Sequence, residues 1–135
     1  MPSKPQRRKV LIIEDKPSIR NVLHVLVAGL SHDSDAALNA RQALARIRQD
    51  QFDAVLLDLR SSQLSPERKV CAITELRPSL VGRVLVITGE VADPSTLEML
   101  GRYAVPHVPR SRVTSDLSRG IAQTDGLTSF IFSPR

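Results

Sequence analysis

Five alternations of a strand-like segment with a helix-like segment are the feature that most constrains the fold of this chain. Three of the strand-like segments, Val10–Ile13, Ala54–Leu57 and Val84–Ile87, are uninterrupted apolar runs, as expected of strands covered on both faces. The segments between them carry apolar residues at helical spacing. Repeated strand–helix units with right-handed crossovers imply a parallel sheet that has helices on both faces.

Two of the expected strands are weak and belong at the edges of the sheet. His32–Ala36 contains the polar run Asp33-Ser34-Asp35, and Val105–Val108 contains Pro106 and is followed by Pro109, which suit only an edge strand. We therefore expect an α/β fold, a flavodoxin-like (βα)5 doubly wound parallel sheet with strand order 2-1-3-4-5. The remaining expected strands are Lys9–Ile13, Phe52–Leu57 and Val84–Thr88, and the expected helices are Pro17–Leu30, Asn39–Arg48, Pro66–Arg77, Pro94–Arg102 and Val113–Ala122.

The length of 135 residues, with 41% hydrophobic and 24% charged residues, fits one soluble domain. We expect this domain to span residues 8–122, between a basic N-terminal tail at 1–7 and a C-terminal tail at 123–135. The single cysteine, Cys71, rules out an internal disulfide and suits a reducing cytoplasm. The apolar runs are too short for a signal peptide or a membrane span, so we expect a cytoplasmic protein with no membrane partner.

The net charge of +5 raises the question of a polyanionic partner. The arginines are scattered along helical segments, however, and aromatic residues make up only 3% of the chain, which leaves few side chains for base stacking. We therefore do not expect nucleic-acid binding.

Chemically active side chains follow four of the expected strands. Glu14 and Asp15 follow the first strand, and Asp58, Thr88 and Arg110 stand at the ends of three others. Because the carboxyl ends of parallel strands share one edge, these side chains should form one site. Three clustered carboxylates repel one another unless a cation or a proton neutralises them. The set therefore predicts a phosphate-handling, cation-dependent centre.

In residue type, order and spacing, these residues resemble the receiver domain of bacterial two-component response regulators, over roughly residues 8–122. The resemblance implies that Asp58 is the phosphoacceptor and that Thr88 is the switch hydroxyl. Arg110 stands where the family has a lysine. Glu14 and Asp15 correspond to the acids that bind the metal.

The expected metal is Mg²⁺, which prefers oxygen ligands. Asp15, Asp58 and the backbone carbonyl of Arg60 are the expected direct ligands, with Glu14 acting through water. The chain would form an aspartyl phosphate by self-catalysed transfer, as carboxylate nucleophiles do elsewhere, and would be a signalling domain rather than an enzyme.

The resemblance also implies a route for the signal. The phosphoryl charge would draw in Thr88, reorganise the loop from Gly89 to Asp93 and alter the face made by the fourth helix, the last strand and the last helix. His107 occupies the position of the side chain that moves with the switch hydroxyl. The expected partners are a histidine kinase or phosphotransfer protein and an unknown downstream protein.

Three cations depart from the family pattern. Arg110 replaces a lysine and is not equivalent to it, Arg60 follows the acceptor by two residues, and Lys16 follows the acidic pair. An alternative is therefore an atypical, degenerate receiver that works without phosphate as an interaction or dimerisation module, with a homodimer as one outcome. A hydrolase with an aspartyl-phosphate intermediate is disfavoured, because such enzymes need an acid where Arg60 stands.

Overall fold

The computed structural model describes residues 7–59, 66–89 and 94–116 and contains one five-stranded parallel sheet in the order β2-β1-β3-β4-β5. This confirms the expected fold class and strand order. Within the described ranges, no helix has the length and apolar character needed to cross a membrane. The strands are β1 Lys9–Ile13, β2 Asp33–Ala37, β3 Ala54–Asp58, β4 Val84–Thr88 and β5 His107–Pro109, and the helices are α1 Pro17–Gly29, α2 Ala40–Gln49, α3 Pro66–Leu76 and α4 Pro94–Arg102.

The expected last helix is seen only at its beginning, at residues 113–116, and its remainder to residue 122 lies outside the described residues. A 3₁₀ turn at Arg110–Arg112 joins it to β5, and another at Pro78–Leu80 follows α3. The tails at 1–6 and 123–135 are likewise outside the described part of the chain.

The prediction for the last strand was wrong by two residues at its start, because β5 begins at His107 and not at Val105. The backbone N–H of Val105 donates to the carbonyl of Leu100 at 2.8 Å and so closes the end of α4. Pro106 has no N–H to donate, and it contributes to the sheet only by accepting from Val86 at 3.0 Å. The polar strand β2 does form the opposite edge, as expected.

Alternate residues of the central strands supply two apolar layers, as the two-residue period of a strand requires. One layer packs against α2, α3 and α4, and the other packs against α1. Because both faces are covered, β1, β3 and β4 are almost completely buried, and their carboxyl ends are fixed relative to one another. The strand residues of the first layer are Leu11, Ile13, Val55, Leu57, Val84 and Val86, and those of the second are Val10, Ile12, Ala54, Leu56, Leu85 and Ile87.

The start of α2 confirms the cap expected from the sequence. The Oδ1 atom of Asn39 accepts a hydrogen bond from the backbone N–H of Gln42 at 2.9 Å. The side chain of Gln42 in turn accepts from the backbone N–H of Leu38 at 2.9 Å. These two bonds fix the start of α2 next to the end of β2.

Replacing Leu56, which is fully buried in β3, with alanine should lower the free energy of unfolding by about 3 kcal/mol, because the substitution leaves a cavity between the sheet and α1. Chemical denaturation followed by circular dichroism measures this loss. Val25→Ala on the exposed face of α1, where the side chain is 70% exposed, should cost less than about 0.5 kcal/mol. Equal losses for the two variants would contradict the described core.

Candidate functional site

The register of the sheet brings four strand ends together. Ile13 of β1 lies beside Leu57 of β3, so Glu14 and Asp58, the residues that follow them, come to the same edge. On the other side Asp58 pairs with Ile87, and the last residue of β4, Thr88, pairs with Pro109 immediately before Arg110. The shared edge predicted from the sequence therefore exists.

Asp58 is held by an ion pair at the centre of this edge. Its carboxylate is only 1% exposed, and its Oδ2 atom accepts a hydrogen bond from Nη2 of Arg110. The 3₁₀ turn that begins at Arg110 directs this side chain back over the end of β3, where it is 21% exposed. A guanidinium already occupies one side of the expected phosphoacceptor.

Glu14 is equally buried, with 1% exposure, and it carries an unused acceptor. Its Oε1 atom accepts the backbone N–H of Lys16 at 3.1 Å. Its Oε2 atom lies 4.0 Å from Nη2 of Arg110 and accepts no hydrogen bond from any residue that the structure describes. Burial, together with the neighbouring Asp58, raises the pKa of Glu14 to about 8, against the lowering effect of the Lys16 N–H. The pocket is therefore less negative than three acids would make it.

The hydroxyl of Thr88 has a weak partner. Thr88 is 3% exposed, and its Oγ1 atom donates to the carbonyl of Val108 at 3.5 Å, which is long for an O–H···O bond. His107, on the neighbouring strand, is half-buried, and burial lowers the pKa of its imidazole. The imidazole Nδ1 atom is buried and has no hydrogen-bond partner among the described residues. Burial thus favours the neutral form of His107, which lies opposite Val86 in the sheet, two residues before Pro109, the register partner of Thr88.

A further cation at the site was missed by the sequence analysis. The side chain of Lys69 in α3 is completely buried, and its Nζ atom donates to the carbonyl of Leu59 at 2.9 Å, directly after Asp58. Burial lowers the pKa of Lys69, whereas the carboxylates of Asp58 and Asp15 act in the opposite direction. The available signal was helical spacing, because Lys69 lies one turn before the buried Ile73 and shares its face.

Not every expected site residue joins this cluster. Asp15 is exposed, and Arg60, whose carbonyl is an expected metal ligand, lies outside the described residues, as does the loop segment 90–93. Among residues 7–59, 66–89 and 94–116, no three His, Cys, Asp or Glu side chains are arranged as a ready-made metal site. The structure brings together Glu14, Asp58, Thr88 and Arg110.

The donor set nevertheless fits a hard cation such as Mg²⁺. It consists of carboxyl oxygens, the ligand type that Mg²⁺ prefers, and the buried Oε2 atom of Glu14 has no hydrogen-bond partner among the described residues. The place beside Asp58 is taken by Arg110 in this arrangement, so a bound cation has to share Asp58 with the guanidinium. This competition predicts weak binding.

Comparisons with known proteins agree with this architecture. The chain is 25% identical over 122 residues to the transcriptional regulatory protein ZraR of Escherichia coli, and 33% identical over 54 residues to the response regulator protein PilR of Pseudomonas aeruginosa. These matches cover 87% and 40% of this chain, but only 27% and 12% of the two relatives. The chain thus spans about a quarter of the length of ZraR.

A solved structure shows the same fold. The receiver domain of NtrX from Brucella abortus superimposes with a TM-score of 0.68 at 22% identity, and the match covers 84% of this chain and 98% of that domain. No protein-family model matches the chain.

A parallel sheet of this order, with an acid, a hydroxyl and a cation at successive strand ends, defines a receiver domain. The relatives that it matches include response regulators, and the likeness to them and to solved receiver domains supports a receiver domain in this chain. Receiver domains are signalling domains, and they generally bind Mg²⁺ at the phosphorylation site.

Replacing Arg110 with methionine should lower the free energy of unfolding by about 3 kcal/mol, because Asp58 would remain buried without its partner. Adding Asp58→Asn to this variant should recover part of the loss, since the stranded charge is removed. Both effects can be measured by denaturation at pH 7.

The matched control is Arg112→Met in the same turn. Arg112 pairs with the buried Asp116 at 3.2 Å, but its own side chain is 63% exposed and hydrated, so its removal should cost about 1 kcal/mol, less than that of the more buried Arg110. If Arg110→Met cost no more than Arg112→Met, the ion pair would not be a structural element of the site.

Proposed function

We propose that this receiver domain, taken as residues 8–122, accepts a phosphoryl group on Asp58 and passes the signal to a protein partner. The observation that carries the proposal is the buried Asp58 carboxylate, held at a strand end between a guanidinium and the hydroxyl-bearing end of β4. The phosphodonor would be a phosphohistidine of a histidine kinase or a phosphotransfer protein. The downstream protein has no identity yet.

In the transfer step, an Asp58 carboxylate oxygen forms the new bond to phosphorus. The bond between phosphorus and the donor's imidazole nitrogen breaks, and its electron pair stays on that nitrogen. Arg110 is placed to exchange its bond to Asp58 for one to a phosphoryl oxygen, since guanidinium groups bind phosphate as readily as carboxylate. The Thr88 hydroxyl can leave the distant Val108 carbonyl and donate to another phosphoryl oxygen.

Mg²⁺ is the proposed cofactor, with weak binding. Asp15, Asp58 and the backbone carbonyl of Arg60 would hold it, with Glu14 acting through water, although Arg60 lies outside the described residues. When bound, the ion would neutralise charge on the transferring phosphoryl group. The free acceptor on Glu14 supports this assignment, and the Arg110–Asp58 pair limits its affinity.

The proposed output face consists of α4, β5 and the last helix. Thr88 contacts β5 through Val108, and half-buried His107 lies on that strand, so movement of the hydroxyl would be felt there. At the end of α4, the hydroxyl of Tyr103 donates to Oε1 of Glu67 in α3 at 2.7 Å. A shift of α4 would change this bond.

Incubation with Mg²⁺ and a small-molecule phosphodonor such as acetyl phosphate should add one phosphoryl group to the chain, detectable as intact mass. Asp58→Asn should abolish the adduct, because the amide is not a nucleophile of this kind. Asp50→Asn, which alters an exposed acid beside Lys9 at the start of β1, should leave it intact. An adduct that persists in Asp58→Asn would contradict the assignment.

Phosphorylation should also change the fluorescence of Tyr103, the single tyrosine in a chain without tryptophan, because a shift of α4 alters its contact with Glu67. The measurement compares emission before and after phosphorylation in the wild type and in Asp58→Asn, which should not respond. Unchanged emission, despite an adduct seen by mass, would argue against α4 as part of the output face.

The second candidate function is the phosphate-independent interaction module. It is favoured by one observation, the ion pair between Asp58 and Arg110, through which the chain itself supplies a counter-charge to the acid. The lack of both an adduct and Mg²⁺ binding would support it, and a homodimer would then be sought by sedimentation. An adduct confined to Asp58 would remove it.

A further inference from the structure

We infer that Lys69 is a resident cation of the phosphoacceptor pocket, which supplies part of the positive charge that a divalent ion would otherwise provide and thereby weakens Mg²⁺ binding. This inference rests on the proposed function of Asp58, because it assigns a role in the electrostatics of that same site. Nothing in the expected site assigned a role to α3.

The first argument is the position of Lys69 in the fold. Its side chain is completely buried and lies among the inward residues of α3, which include Val70 and Ile73. A lysine at such a position loses its hydration, and buried charges are retained only where partners compensate for them. Its Nζ atom donates a hydrogen bond to the carbonyl of Leu59 at 2.9 Å.

The second argument is the direction in which the ammonium acts. Leu59 immediately follows Asp58, so this hydrogen bond holds the positive charge of Lys69 next to the proposed phosphoacceptor. The carboxylates that attract the ammonium are Asp58 and Asp15, two of the proposed metal ligands. A fixed positive charge beside these ligands repels an incoming divalent ion, and burial preserves the effect by limiting the screening by water and salt.

The third argument is the charge balance of the described pocket. Arg110 pairs with Asp58 and approaches Glu14 to 4.0 Å, while Lys69, on α3, is attracted by Asp58 and Asp15. Asp58 thus lies near two resident cations, while Glu14, whose pKa is raised to about 8, adds little negative charge at neutral pH. The protein's own cations therefore offset the repulsion among the acids of the site. The sequence analysis assigned this role to a bound metal ion.

The alternative hypothesis is that Lys69 has only a structural role, as a hydrogen-bond donor that fixes Leu59. Two substitutions separate the roles. Lys69→Met removes both the charge and the donor with little change of volume, whereas Lys69→Gln removes the charge and keeps an amide donor. Arg68→Met, which alters an exposed neighbour on the same helix, changes the net charge equally and is the matched control.

The experiment is a titration of the unphosphorylated full chain with MgCl₂ at constant ionic strength, followed by calorimetry and by the backbone amide resonance of Leu59. Both Lys69 variants should bind Mg²⁺ roughly tenfold or more tightly than the wild type, because the repulsion is removed. Arg68→Met should bind as the wild type does. Circular dichroism establishes that each variant is folded, and the Gln variant replaces the Met variant if the latter is not.

Unchanged Mg²⁺ affinity in folded Lys69→Gln would overturn the inference, as would tighter binding in Arg68→Met to the same degree. Because the readout is metal binding and not phosphorylation, it is independent of the mass experiment. Tighter binding in the Lys69 variants of a chain that forms no adduct would sustain the role of Lys69 and reject phosphotransfer to Asp58.

Discussion

The pairing of Asp58 with Arg110 is the interaction on which the site depends. A carboxylate at 1% exposure cannot remain charged in a protein interior without a partner, and the sheet supplies one from two strands away. The pair joins the end of β3 to the turn after β5, with Thr88 of β4 between them. A change at Asp58 would therefore reach the turn after the edge strand β5 through a single contact.

Two further charged or titratable side chains, Glu14 and Lys69, lie near this pair. Glu14 is as buried as Asp58 but receives no hydrogen bond on Oε2 from the described residues, and the cost of its ionisation appears as a raised pKa. Lys69 on α3 is attracted by Asp58 and Asp15 and donates a hydrogen bond to the carbonyl of Leu59, directly after Asp58. The result is a site in which protein cations compete for the role that a divalent ion plays in receiver domains generally. This competition would weaken Mg²⁺ binding at the proposed phosphoacceptor site.

The sequence predicted the fold well, because the pattern of apolar residues distinguished strands from helices and central strands from edge strands. Uninterrupted apolar strands could only be central strands, and the polar Asp33–Asp35 segment could only be an edge. The start of β5 was misplaced because the roles of Val105 and Pro106 depend on the end of α4, a tertiary contact.

The convergence of Glu14, Asp58, Thr88 and Arg110 was predictable because parallel strands share an edge. The direct pairing of Arg110 with Asp58 was not, since it depends on the rotamer of a long side chain. Lys69 was overlooked because a lysine is normally assigned to a solvated helix face.

The most direct test of this account is a ¹⁵N NMR measurement on Arg110 and Thr88 during addition of beryllofluoride, an analogue of the phosphoryl group, with saturating Mg²⁺. The account predicts that the side-chain Nε–H resonance of Arg110 and the amide of Thr88 shift together, because both groups turn from their present partners to the anion on Asp58. Asp58→Asn should show neither shift. If both resonances stayed in place in the wild type under these conditions, Arg110 would remain paired with Asp58 in the presence of the phosphoryl analogue. That result would contradict the proposed phosphoacceptor site.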